Sequence, residues 1–224
     1  VASAAVIASL VSNNTSLTSL ALPNNELGGD SGQLLAQALK DSSVLTALDV
    51  SFTDLGDDGL VALSEGLRAS ESIVVLMLQG RYRGRNIGPR GAAALATALR
   101  NGCDHLLELN LAINALRDKG AALLADALRE SGHPLRSLAI ANNAIGTLGS
   151  KALAAYTSTS PSLTSLDVRF NAFNAAAKQL LRDSVTKRAN AHHERRAAST
   201  TTAGPLDACN SQASLSGFHF MLSL

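Results

Sequence analysis

The chain has 224 residues, of which 46% are apolar, 3% are aromatic and none is Trp, so any core must be assembled from aliphatic side chains rather than rings. Against 18 acidic side chains stand 19 basic ones, a formal charge of +1 that gives no global field for a nucleic acid or an anionic membrane. Two cysteines, Cys103 and Cys209, are too few for a disulfide framework, and a reducing compartment, the cytoplasm, is the default expectation.

The opening stretch, VASAAVIASLVSNN, carries an apolar run without a basic n-region or an initiator Met, so it does not read as a signal peptide. Laid against the repeats that follow, its Ile7 and Val11 fall on helix core positions. It is therefore expected to be the second half of an earlier repeat, which would make the chain a fragment lacking an N-terminal cap. Asn13 and Asn14 open overlapping N-x-[ST] triplets, a pattern frequent by chance.

From Leu17 onward the chain repeats itself. The openings LTSLAL, LTALDV, IVVLML, LLELNL, LRSLAI and LTSLDV start at 17, 45, 73, 106, 135 and 163. Each has the LxxLxL spacing of a short strand with its apolar side chains on one face. Eight residues after the start stand Asn25, Thr53, Asn114, Asn143 and Asn171, and ten residues after it Leu27, Leu55, Leu116, Ile145 and Phe173. A helical pattern follows, with Leu35 and Leu39, Leu63 and Leu67, Leu95 and Leu99, Leu124 and Leu128, then Leu153 and Leu181. One such unit cannot cover its own apolar side, so it needs neighbours. The asparagine beyond the strand is expected to pair turn backbone that would otherwise be buried unsatisfied.

LGGDSG and LGDDG in the first two repeats put acids beside glycines, but they lack the EF-hand order and read as turn and helix-start chemistry. The third repeat is the irregular one. QGRYRGRNIGPRG is longer by four residues and holds Arg81, Tyr82, Arg83, Arg85 and Arg90 without the glycine order of a phosphate loop. It reads either as a solvated insertion or as a basic rim hook for an acidic partner, through bidentate arginines and a stacking tyrosine.

Between the strand leucines, side chains from Ser19, Ala21 and Pro23 through Ser51 and Ala141 to Ser165, Asp167 and Arg169 are expected on the open face of the sheet. The candidate partner-binding residues there are Asp49, Phe52, Met77, Gln79, Glu108, Asn110, Asp167, Arg169 and Phe170, with Arg81, Tyr82, Arg83 and Arg85 at the rim. Phe52 and Phe170 are the expected hot spots, since desolvated rings carry a large share of binding energy.

No HExxH, CxxC pair, GxSxG or isolated carboxylate pair occurs. Ser184 and Lys187 match SxxK without partner motifs, and His105, His133, His192 and His193 read as surface histidines. No catalytic, cofactor or metal site is expected. After about Val185 the repeat fails. TKRANAHHERRAAST reads as a polar extension of the last helix. The Ser- and Thr-rich remainder is expected to be a disordered tail over 197–217, or else to fold back over the sixth repeat, and its apolar tip is too short for a bilayer. The expected division is thus a repeat domain over 1–185, with a partial repeat at 1–16, and an extension and tail over 186–224.

The pattern LxxLxLxxNxLGxxGxxxLAxAL at a 28- or 29-residue period resembles the leucine-rich repeat of the ribonuclease-inhibitor class over roughly residues 1–185. The cysteine-rich composition of the inhibitor itself is missing here. The resemblance implies an α/β fold: a right-handed curved solenoid, a horseshoe arc with a parallel sheet on the concave side and helices on the convex side. Curvature also follows from packing, because parallel strands sit ~4.8 Å apart while helices need ~10 Å each. The function it implies is protein recognition on the concave face, by a monomer that binds another protein, with no reaction of its own. Two alternatives stay open: a GTPase-activating protein of the Ran type, and the sensing repeat region of a nucleotide-binding immune-type receptor.

Overall fold

The structure is a computed structural model, and it describes residues 14–201 and 221–224 together with Val6, Ile7, Ser9, Val11 and Ser12. Strands and helices alternate: β1 (Ser19–Ala21), α1 (Ser31–Asp41), β2 (Ala47–Asp49), α2 (Gly56–Ala69), β3 (Val75–Met77), α3 (Pro89–Arg100), β4 (Glu108–Asn110), α4 (Arg117–Glu130), β5 (Ser137–Ala139), α5 (Thr147–Thr159), β6 (Ser165–Asp167), α6 (Ala175–Thr201) and β7 (Met221–Ser223). The strands form one parallel sheet in chain order, and each helix packs on the helices before and after it. This is the expected α/β solenoid.

Register follows the repeat. Leu20, Leu48, Leu76, Leu109, Leu138 and Leu166 are paired in turn across the sheet. From Leu48 to Leu166 these central leucines are at most 2% exposed, as are the helix leucines Leu63, Leu67, Leu95, Leu99, Leu124, Leu128 and Leu153. One continuous core therefore runs the length of the stack. Val11 is buried and Ile7 packs against the same core, so the opening residues do supply helix core positions.

The strands are shorter than the six-residue LxxLxL motif suggests, three residues each. Pairing nonetheless extends beyond them, as in Thr46 N to Thr18 O at 2.8 Å, Leu22 N to Asp49 O at 2.7 Å and Asn24 N to Ser51 O at 3.0 Å. Close helix stacking depends on small residues. A Cβ on Gly32 would lie 2.2 Å from the Gly59 carbonyl oxygen, and one on Gly66 would lie 2.5 Å from Ala36 backbone.

The expected asparagine ladder is present. Asn143 donates to Leu111 O (2.8 Å) and Ala141 O (3.1 Å) and accepts from Leu116 N (3.2 Å); Asn114 and Asn171 do the same work in their repeats. Asn143 is fully buried, so without these bonds its amide and the turn backbone would both be orphaned.

Helix starts use a device the sequence did not reveal. Asp57, in the first turn of α2, accepts from Gly88 N (2.7 Å) and Gly91 N (2.8 Å) at the start of α3. Asp118, in the first turn of α4, does the same for Gly146 N (2.7 Å) and Gly149 N (2.8 Å) at the start of α5. The cap of one helix is thus supplied by the preceding repeat.

The end of the stack adds detail that the sequence left open. Residues 197–201 belong to α6, where the sequence suggested a disordered tail, and Met221–Ser223 pair with β6 as a seventh strand, which agrees with the alternative of a fold-back over the sixth repeat. The rest of the expected tail, 202–217, lies outside the described residues. Finally, Arg188 in the polar extension is 5% exposed and donates to Pro161 O (3.2 Å) and to Leu163 O. Leu163 O corresponds to Leu45 O, bonded by Ser72, and to Leu135 O, bonded by Ser162, and Pro161 O corresponds to His133 O, also bonded by Ser162. Arg188 therefore takes the place of the next repeat's serine.

Candidate functional site

The open face of the sheet brings most of the expected residues together. Register sets Asp49, Met77, Asn110, Ala139 and Asp167 side by side in one row, with Glu108 in the adjacent row. Glu108 is exposed, while Asp49, Met77, Gln79, Asn110 and Asp167 are half-buried.

Three of these polar residues have a backbone duty. Asp49 accepts from Ser51 N (2.9 Å), Asn110 from Ala112 N (2.9 Å) and Asp167 from Arg169 N (3.1 Å), so each turns the chain at a strand end. Asp167 and Arg169 also grip each other through two bonds of 2.9 and 2.8 Å. Those Arg169 bonds hold the Asp167 carboxyl below the usual carboxylate range, against the opposing effect of its burial. Ser51 and Ala141, expected on the open face, are instead 5% and 8% exposed, because the chain there is already turning toward the core.

Beyond the strand ends lies a second row. Asn24, Phe52, Ile113, Asn142 and Phe170 occupy the same repeat position and all have φ between +53° and +61°. Asn tolerates this left-handed conformation; Phe and β-branched Ile do so only under strain, of order 1–3 kcal/mol each. Phe170 is also 79% exposed, whereas Phe52 and Ile113 are half-buried. Left-handed backbone at Phe52, Ile113 and Phe170 has no signature in their residue types, so only the fold reveals it.

The rim loop of the third repeat is braced. Asn86 clamps Arg81, accepting from its N–H (3.1 Å) and donating to its carbonyl (2.8 Å), and Asp54 accepts from Arg85 N (3.2 Å). Not all of its arginines are free to meet a partner. Arg81 pairs with Asp54 at 3.8 Å, and Arg90 pairs with Asp58. Arg83 and Arg85 are exposed with no ion pair among the described residues, beside Tyr82 at 80% exposure. The basic loop is thus partly neutralised by aspartates of the second repeat.

One further expectation is corrected. His133 is not a surface histidine: it is 2% exposed, with Nε2 at 3.0 Å from the Cys103 carbonyl oxygen. Burial pulls its pKa below 6.5 and pushes the Cys103 thiol up to about 12. His105 is exposed as expected, while the side chains of His192 and His193 lie outside the described residues. Ser184 is buried, and its hydroxyl donates to Leu181 O at 2.7 Å within its own helix, in the wall of an apolar groove of about 470 Å³ between α5 and α6. No described helix is long and apolar enough to cross a membrane.

Solved structures share the fold. An actin-binding segment of leiomodin-1 (actin-binding site 2) superposes with a TM-score of 0.52 at 16% identity, over 88% of this chain and 95% of that one. The tropomodulin C-terminal domain of Caenorhabditis elegans gives 0.51 at 13% identity, over 87% and 98%. A search of curated protein sequences finds no match. A leucine-rich repeat family model matches residues 13–36, 41–64, 102–125, 133–154 and 159–176, leaving unmatched the repeat that carries the insertion. With half its length matched by that model and the leucine ladder continuous through all six repeats, the chain belongs to the leucine-rich repeat family.

Proposed function

We propose that the chain is a protein-recognition module of the ribonuclease-inhibitor-like type, cytoplasmic and largely monomeric, with no reaction of its own. Its partner sits on the concave strand face and is held at one end by the rim loop. The observation that carries this reading is the strained, solvent-facing Phe170 in line with Phe52 and Ile113. A ring on left-handed backbone, four-fifths exposed, contributes nothing evident to the fold, and stored strain of this kind clusters at binding sites. Asp49, Met77, Gln79, Glu108, Asn110, Asp167 and Arg169 supply the polar floor. Tyr82, Arg83 and Arg85 supply a rigid basic rim, with Arg81 anchoring it through Asp54. Such a surface involves little ordering cost on binding.

The leiomodin-1 segment that shares this fold is an actin-binding site, so actin is the first partner to test, by co-sedimentation. A single-turnover GTPase assay tests the GTPase-activating alternative. For the partner found, Phe170→Asn should weaken affinity at least tenfold while raising the denaturant midpoint, because Asn suits the left-handed backbone and an exposed ring loses little burial. Arg83→Ser with Arg85→Ser should slow association and flatten its salt dependence without moving that midpoint. If Phe170→Asn leaves affinity untouched, the concave reading fails.

A further inference from the structure

Around the fifth repeat the chain departs from its own pattern at neighbouring places. Three residues past Leu35, Leu63, Leu95 and Leu124 stand Ala38, Gly66, Ala98 and Ala127, but three past Leu153 stands Tyr156. Three residues before a strand motif, Ser42 and Ser160 accept from Leu45 N and Leu163 N; the residue in that place before Leu135 is Gly132, where a Cβ would meet nothing within 4 Å. The buried His133 follows. Gly132, His133 and Tyr156 line one cavity of about 130 Å³ between the C-terminal ends of α4 and α5, with Arg129, Thr159 and Pro161 at its exposed mouth. It lies on the edge of the stack where helices lead into strands, opposite the edge that carries the rim loop, and so stands apart from the concave face.

Two polar atoms of these walls have no hydrogen-bond partner among the described residues, His133 Nδ1 and Tyr156 Oη, on side chains 2% and 1% exposed. Buried groups of this kind need a partner. What they ask of it is defined. His133 Nε2 faces the Cys103 carbonyl oxygen at 3.0 Å, and a carbonyl only accepts, so the neutral ring carries its proton there and leaves Nδ1 with a lone pair. The phenol can donate. Charged groups suit the floor badly: an anion would meet the Nδ1 lone pair and the field of Asp104, a cation would meet that of Arg188, and either would lose hydration. At the mouth, Arg129 is already paired with Asp126 and Glu130. We infer that this cavity binds the primary amide of a small neutral molecule, its N–H donating to His133 Nδ1 and its carbonyl accepting from Tyr156 Oη. The volume equals that of about four waters at roughly 30 Å³ each, room for an amide with a short alkyl group.

Acetamide is the probe, with acetate and methylammonium as its charged counterparts, all added to the full chain. The His133 Nδ1 nitrogen resonance should shift saturably with acetamide, with a Kd on the order of 1 mM, and both ions should bind at least tenfold more weakly. Tyr156→Phe deletes only Oη. It should weaken acetamide binding at least tenfold and leave the denaturant midpoint at or above that of the wild type, because the lost hydroxyl had no partner in the fold. A shift that rises linearly without saturating would mean that the cavity takes solvent alone, and would overturn the inference. Equal binding of either ion, or undiminished binding to Tyr156→Phe, overturns it as well. A lowered midpoint for Tyr156→Phe would show that the phenol is already satisfied within the fold, and the assignment falls on that result too.

Discussion

The residue-scale features that matter most here are buried polar groups whose roles depend on a neighbouring repeat. Asn114, Asn143 and Asn171 could be read in advance, since a fixed polar residue after a strand has backbone to satisfy. His133 could not, because nothing in SGHP distinguishes an exposed loop histidine from one closed over by the Cys103 carbonyl and Tyr156. Its pH behaviour is a direct consequence. The folded-state pKa lies below the unfolded value of 6.5, chiefly through desolvation, so below pH 6.5 the unfolded chain takes up a proton that the native ring resists. Stability from neutral His133 is therefore full above pH 6.5 and is lost as pH falls from there through the depressed native value. Urea midpoints measured from pH 7.5 down to 5 should fall more steeply for the wild type than for His133→Gln. Parallel curves would show that the ring charges freely in the native state.

Among elements, the strand–helix alternation and its register were legible because leucines recur on a fixed period, and burial of one face permits only one register. Strand length was overestimated, since the motif counts every residue whose backbone pairs while the regular ladder covers three. Caps were illegible because their partners lie a whole repeat away: Asp118 reads as an ordinary first-turn acid until Gly146 and Gly149 are found pointing at its Oδ1. Two substitutions separate these roles. Asp118→Ala removes two bonds to helix-start N–H groups and should cost about 1–2 kcal/mol, with amide exchange quickening at the start of α5 rather than α4. Arg188→Ala should cost about 1–3 kcal/mol by stranding the Pro161 and Leu163 carbonyls, although a polar helix extension alone would predict almost no effect. If Asp118→Ala loosens α4 instead, capping across repeats is not what holds α5.

For the whole molecule, the leucine period made the solenoid readable, whereas surface chemistry varies from repeat to repeat and stays free of the core pattern. That freedom is why the rim loop's ion pairs, which join Asp54 and Asp58 of one repeat to Arg81 and Arg90 of the next, emerged only from the fold. Energetics of such a stack is nearest-neighbour: each repeat stabilises the two beside it, and loss in the middle weakens both sides. Leu109, 2% exposed at the centre of the ladder between Leu76 and Leu138, is flanked on both sides, whereas Leu20 in β1 is only partly buried and has a strand on one side. Leu109→Ala should cost about 2–5 kcal/mol through an uncollapsed cavity, Leu20→Ala distinctly less, and Ser137→Ala on the open face no more than about 0.5 kcal/mol. Denaturant midpoints rank the three. A further consequence distinguishes a stack from a globule: Leu109→Ala should broaden the transition as the two halves begin to unfold separately, whereas Leu20→Ala should shift it while keeping its slope. Equal costs for Leu109→Ala and Leu20→Ala, with slopes unchanged, would mean the repeats share one indivisible core.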